Sequence, residues 1–186
     1  MNASLRRLAA LLPLLLLGIT TAGCNMMDHD EDDDMPDPMR LRGDVQFIDY
    51  FAPHHVAATE MADMVIARGA DAEVKAFARK IRAAQRTEVQ TMRTARLALT
   101  GKAEMSMAHD DPHMSTDMAA MGAASGTALD RLFLEDMIPH HAGGIAAAHN
   151  AAGLTRADIQ ALARKIYEDQ SAEIGEMRAL RARIGG

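Results

Sequence analysis

Cysteine occurs once in the 186 residues, tryptophan is absent, and four Phe and two Tyr make up the whole aromatic complement. A single Cys excludes an intramolecular disulfide, so the fold must be held by its core and by any bound metal. Scarce aromatics leave no stacking platforms, and 20 Lys and Arg against 26 Asp and Glu give a net charge of −6. Together these exclude the basic, aromatic-lined surface of a nucleic-acid binder. Strand-type runs are also scarce, whereas Ala, Leu, Met, Arg and Glu are good helix formers. The composition therefore predicts an all-α protein with one real core. Signatures of catalysis are missing too: there is no Glu-x-x-His, Gly-x-Ser-x-Gly, His-Glu-x-x-His or phosphate-binding Gly loop, and a non-enzymatic role is expected.

Residues 1–23 read as a lipoprotein signal peptide. Arg6 and Arg7 supply the positive end, and Leu8 to Ile19 form an apolar stretch, interrupted by Pro13, that is shorter than the ~20 residues of a spanning helix. Thr21-Ala22-Gly23-Cys24 sets small residues before the sole cysteine, the pattern of a lipobox in which Cys24 is acylated and anchors the chain to a membrane. The alternative is an ordinary leader cut near Ala22 or Gly23. Asn25 in place of Asp mildly favours the outer membrane. Once the leader is gone, 18 basic and 26 acidic side chains remain. Residues 24–43, with Asp28, Asp30, Glu31, Asp32, Asp33, Asp34 and Asp37, read as a solvated, acidic, Met-containing tether.

The remainder, 44–186, is duplicated. Phe47 to His55 aligns with Phe133 to His141 at an offset of 86, ending in Pro-His-His both times. Val74 to Ile81 aligns with Ile159 to Ile166 at an offset of 85, and Gln85, Glu88, Met92 and Arg93 pair with Gln170, Glu173, Met177 and Arg178. Gly69 and Gly153 mark turns between the blocks. Apolar residues recur at helical spacing, as in Ile159, Leu162, Ile166, Ile174 and Met177, so each half reads as a helical hairpin. Two such hairpins bury their stripes against each other as a four-helix bundle, with helices near 45–68, 71–99, 128–152 and 155–184. Pro53 and Pro139 predict a kink or helix start before each His pair, leaving the histidines in an irregular, partly open turn.

Polar residues on the apolar seam are the informative ones. Gln85 falls between Ile81 and Val89, Gln170 between Ile166 and Ile174, and Glu88 and Glu173 flank the same seam. A buried amide without partners costs about 1–3 kcal/mol, so these side chains need partners, and His54 and His140 are the obvious ones. The pairs His54-His55 and His140-His141 are candidate metal ligands, with Met137 one turn before the second pair. Met61 and Met64 lie beyond the first pair, and His149 beyond the second. Nine methionines fall outside the predicted helices: Met26, Met27, Met35 and Met39 in the tether, and Met105, Met107, Met114, Met118 and Met121 in the 101–126 connection. That connection also holds His109 and His113 and reads as a loop. Thioethers mixed with imidazoles in solvated stretches favour Cu(I), with Cu(II) also accepted, and make these residues accessory captors.

The pattern Phe-x5-Pro-His-His in both halves, followed by Gln-x2-Glu-[Val/Ile]-x2-Met-Arg, resembles the domain-of-unknown-function family 305 over residues 45–184. The resemblance implies a ferritin-like antiparallel four-helix bundle, export to the periplasm and, for the characterised branch, copper binding by Met and His in copper tolerance. The expected function is that of an envelope lipoprotein that buffers, stores or transfers copper, with other envelope copper proteins as candidate partners. The competing expectation is a metal-independent envelope module whose His/Gln/Glu network is structural.

Overall fold

The computed structural model describes residues 41–105 and 117–185. The signal peptide, Cys24, the tether up to residue 40, and Met107, His109, His113 and Met114 lie outside the described residues. Four long helices, α1 (Gly43–Arg68), α2 (Ala72–Thr100), α4 (Gly126–Asn150) and α5 (Ala157–Gly185), are joined by a short α3 (Met118–Ala123) in the long connection. None of the described helices is long and apolar enough to cross a membrane.

Each helix end has a local cause. Asp71 caps α2 by accepting from Glu73 and Val74 N–H, and Gly101, at φ +72°, closes it with an N–H to the Leu97 carbonyl. Asp117 caps α3 through Ala120 N–H at 2.8 Å. α3 is a correction to the loop expected here: Met121 is fully buried and Met118 packs beside it. Their apolar side chains, capped by Asp117, outweigh the glycine and serine content around them.

Buried residues of α2 run Val74, Phe77, Ala78, Ile81, Gln85, Glu88, Met92 and Ala95, and those of α5 run Ile159, Leu162, Ala163, Ile166, Gln170, Glu173 and Met177. The alternating steps of three and four are those of helices packed side by side in a bundle. Glu88 and Glu173 take the buried positions, while Val89 and Ile174 stand half-buried.

α1 pairs with α2 and α4 with α5 as tight antiparallel hairpins, which meet through α1 against α4. The interior has three layers. One apolar cluster includes Ala58, Met61, Val65, Phe77, Ile81, Phe133, Met137 and Met177, and a second includes Phe47, Phe51, Met92, Ala147, Ile159 and Ile166. Between them, along every long helix, sit the histidines, glutamines and glutamates. The duplication thus becomes a pseudo-twofold through this polar layer, exchanging the two apolar clusters.

The halves are also stitched crosswise. Asp44, at the start of α1, accepts from Thr155 N and Oγ1 and from Arg156 N before α5. Asp130, its counterpart in α4, accepts from Ala70 N and Asp71 N before α2. Gly69 is required at that crossing, because a Cβ there would collide with the Asp130 carboxylate.

Candidate metal centre

The two Pro-His-His runs lie inside continuous helices, so the expected partly open turn is absent. His54, His55 and His141 are wholly buried and His140 is 2% exposed. Proline removes one backbone donor, but packing of a long helix against its neighbours outweighs the loss of that hydrogen bond.

The four imidazoles form a chain across the core. Ring centroids are 5.8 Å apart for His55 and His54, 3.8 Å for His54 and His140, and 6.1 Å for His140 and His141. At each end a carboxylate holds the outer ring: His55 Nε2 to Glu88 Oε2 at 2.7 Å, and His141 Nε2 to Glu173 Oε2 at 3.0 Å. This corrects the pairing expected from sequence, which gave the seam residues to His54 and His140. Adjacent side chains on a helix diverge by about 100°, and α1 and α4 meet so that the inner ring of each pair faces its twin. Each glutamate also meets a lysine of the other half, Glu88 with Lys165 at 3.0 Å and Glu173 with Lys80 at 4.0 Å. These lysines sit in the repeated Ala-Arg-Lys-Ile block, but only the crossed packing reveals their role.

Burial disfavours a charge on two of the rings, His54 and His141. Burial, with the like imidazoles around it, pushes His54 well below the ordinary histidine range. Burial also lowers His141, against the opposing pull of Glu173. Burial would raise Glu88, but the hydrogen bonds from His55 and Lys165 outweigh it and hold the carboxyl below its usual range. Ionised Glu88 can only accept, so His55 Nε2 carries the proton. His54 Nε2 likewise donates to the His140 carbonyl at 3.2 Å. Nδ1 of His54, His55 and His141 is buried without a hydrogen-bond partner. The amides of Gln85 and Gln170 are equally buried and unpartnered. Gln170 Oε1 and His54 Nε2 converge over Gly144, where a Cβ would strike the first and lie 3.2 Å from the second.

The other sequence candidates are distributed around this layer. Met137 is buried one turn before His140, and Met61 is buried two turns beyond His54, with Met64 half-buried beside it. Met105 packs on the apolar cluster at the opposite end. His149 is exposed at the end of α4, 5.8 Å from the Tyr167 ring in a surface cleft of about 450 Å³, and does not join the buried rings. Among the described residues, no three His, Cys, Asp or Glu side chains are grouped closely enough to hold a metal ion as they stand.

A four-helix bundle with a buried layer of imidazoles clamped by carboxylates defines a class of histidine-cored helical proteins. The family model described as "Domain of unknown function (DUF305)" matches residues 44–181, and the chain belongs to that family. It is similar to CopM, solved in a Cu(II)-bound form, with 31% identity and a TM-score of 0.68 over 77% of this chain and 98% of that one. The Cu(I)-bound form of CopM gives 29% identity and a TM-score of 0.66 over the same shares. A candidate secreted DUF305 protein from Streptomyces coelicolor gives 28% identity and a TM-score of 0.66, covering 77% of this chain and 94% of that one. No curated protein sequence matches the chain significantly.

Proposed function

We propose that the protein is a non-enzymatic, extracytoplasmic copper-binding protein that takes Cu(I) into the histidine layer and buffers, stores or passes it on. The observation that carries this reading is the set of buried Nδ1 atoms of His54, His55 and His141 that have no hydrogen-bond partner. Imidazoles held at one nitrogen by a carboxylate or a backbone carbonyl, with the other nitrogen bare, are what a metal-ligating histidine presents, since the outer partner fixes tautomer and ring orientation. Imidazoles and a neighbouring thioether suit a soft monovalent ion, which needs fewer donors than a preformed cage supplies. His140 and Met137 complete the donor set. Similarity to CopM, solved with Cu(I), Cu(II) and silver, supports the metal. The apolar leader and Cys24, with the secreted relative, support export and a lipid anchor. His55 and His141 already satisfied by Glu88 and Glu173 favour the second reading, a structural network indifferent to metal.

Anaerobic titration of the chain with Cu(I) against a chromophoric chelator, beside a His140→Ala/His141→Ala variant, separates the two. Tight binding that the variant loses is the expected result. If wild type and variant compete for copper equally, the histidine layer is not the site.

A further inference from the structure

Methionine is unevenly placed across the pseudo-twofold. Of the eight methionines among the described residues, six belong to one apolar cluster: Met61, Met121, Met137 and Met177 are buried in it, and Met64 and Met118 are half-buried against it. The other cluster buries Met92 and has Met105 at its margin. Core filling is the ordinary role of methionine, and the duplication supplies an internal control on it. Where the first cluster has Met61, Met64 and Met137, the equivalent positions of the other half are Ala147, Asn150 and Phe51. The same architecture is therefore packed at its other end by alanine and phenylalanine, so packing alone does not call for thioethers.

The six are also ordered. Met61 and Met64 on α1 and Met118 and Met121 on α3 are both pairs three residues apart, a spacing that puts two side chains on one helical face. In each pair one member is fully buried and the other reaches the surface. α3 is held on α1 by the Arg68 guanidinium, which donates to the Met121 carbonyl at 3.1 Å and the Gly122 carbonyl at 2.7 Å. Inward from these pairs, Met137 lies one turn from His140, and Met177 one turn from Glu173.

We infer that Met64 and Met118, with Met61 and Met121 beneath them, form a second, thioether site for soft monovalent ions of the Cu(I) and Ag(I) class, and that it is the port through which such ions reach the histidine layer. Sulfur ligands select soft ions and exchange them readily, so the ion steps inward by ligand exchange with no change of oxidation state. The inference rests on the proposed copper function for the ion's destination, whereas the site itself rests on the methionines alone.

The test uses the full chain and Ag(I), followed by the methyl signals of 13C-labelled methionine and by bound silver per chain. The Met64 and Met118 methyls should shift as silver is added. A Met64→Leu/Met118→Leu variant, which keeps the apolar volume, should retain its melting temperature. It should also bind about one silver ion fewer per chain and load the histidine layer several-fold more slowly, because only the soft donors are gone. Methyls of Met64 and Met118 that stay fixed at saturation, or a leucine variant that binds and loads like wild type, overturn the inference. A His54→Ala/His140→Ala variant keeps the two readings apart: undiminished silver binding there, with one ion lost in the leucine variant, removes the histidine layer as a site and leaves the port standing.

Discussion

Gly144 shows how much of the centre is decided by one side chain. Its counterpart in the first half is Ala58, yet a Cβ at 144 would collide with Gln170 Oε1 and sit 3.0 Å from His54 Cε1. Gly144→Ala should cost about 1–3 kcal/mol by overpacking, read as a lower urea midpoint. It should weaken copper binding as well, because relief comes only by displacing the His54 ring or the Gln170 amide. A variant as stable as wild type, with unchanged affinity, would mean that His54 and Gln170 are free to move aside. Gln85, Glu88, Gln170 and Glu173 were legible in the sequence because they break an apolar seam identically in both halves. The partners of the two glutamates were not, because the choice between adjacent histidines depends on how α1 faces α4, which no local pattern records.

The hairpins are joined at the level of elements by two exchanged carboxylates. Asp44 caps the start of the partner hairpin's second helix, and Asp130 returns the same bonds to the residues before α2. Asp44→Ala and Asp130→Ala should each cost about 0.5–2 kcal/mol, as loss of a helix cap does. The effects should add in the double variant, since the sites are at opposite ends of the bundle. Thermal or urea unfolding of the three variants measures this, and two silent single variants would show that water replaces the carboxylates at no cost. Long helices were readable from periodicity, and every predicted end falls within two residues of the observed one. α3 was not, because six residues set among Gly, Ser and Asp carry too little periodicity to stand out. The crossed caps were hidden for another reason: Asp44 and Thr155 are 111 residues apart.

For the molecule as a whole, the duplication was visible as an offset in the chain, but its consequence, a polar layer trapped between two apolar clusters, makes stability depend on protons. His54 and His141 are held below the histidine value of 6.5, chiefly by burial. As pH falls through that value, the unfolded chain takes up protons that the folded chain refuses, so unfolding gains and stability declines with acidification. A second loss follows at lower pH from carboxyls depressed in the folded state. Glu88 is lowered from 4.5 and Asp71, beside Arg183, from 3.8 to about 2, and both stabilise above those unfolded values and stop doing so as pH drops through the folded ones. The urea midpoint of the metal-free chain should therefore fall in two stages on titration from about pH 7.5 to about pH 2. On the proposed function, the same depression should keep His54 and His141 available to copper below the pH at which exposed histidines release it, since a bound imidazole must be neutral. Stabilisation by copper, about 2.7 kcal/mol at a hundredfold excess over Kd, should persist into the first stage. Melting the copper-loaded and metal-free chains side by side near pH 6 tests this. Loss of the difference there would mean that His54 titrates like a surface histidine and that the layer opens to water before the bundle unfolds.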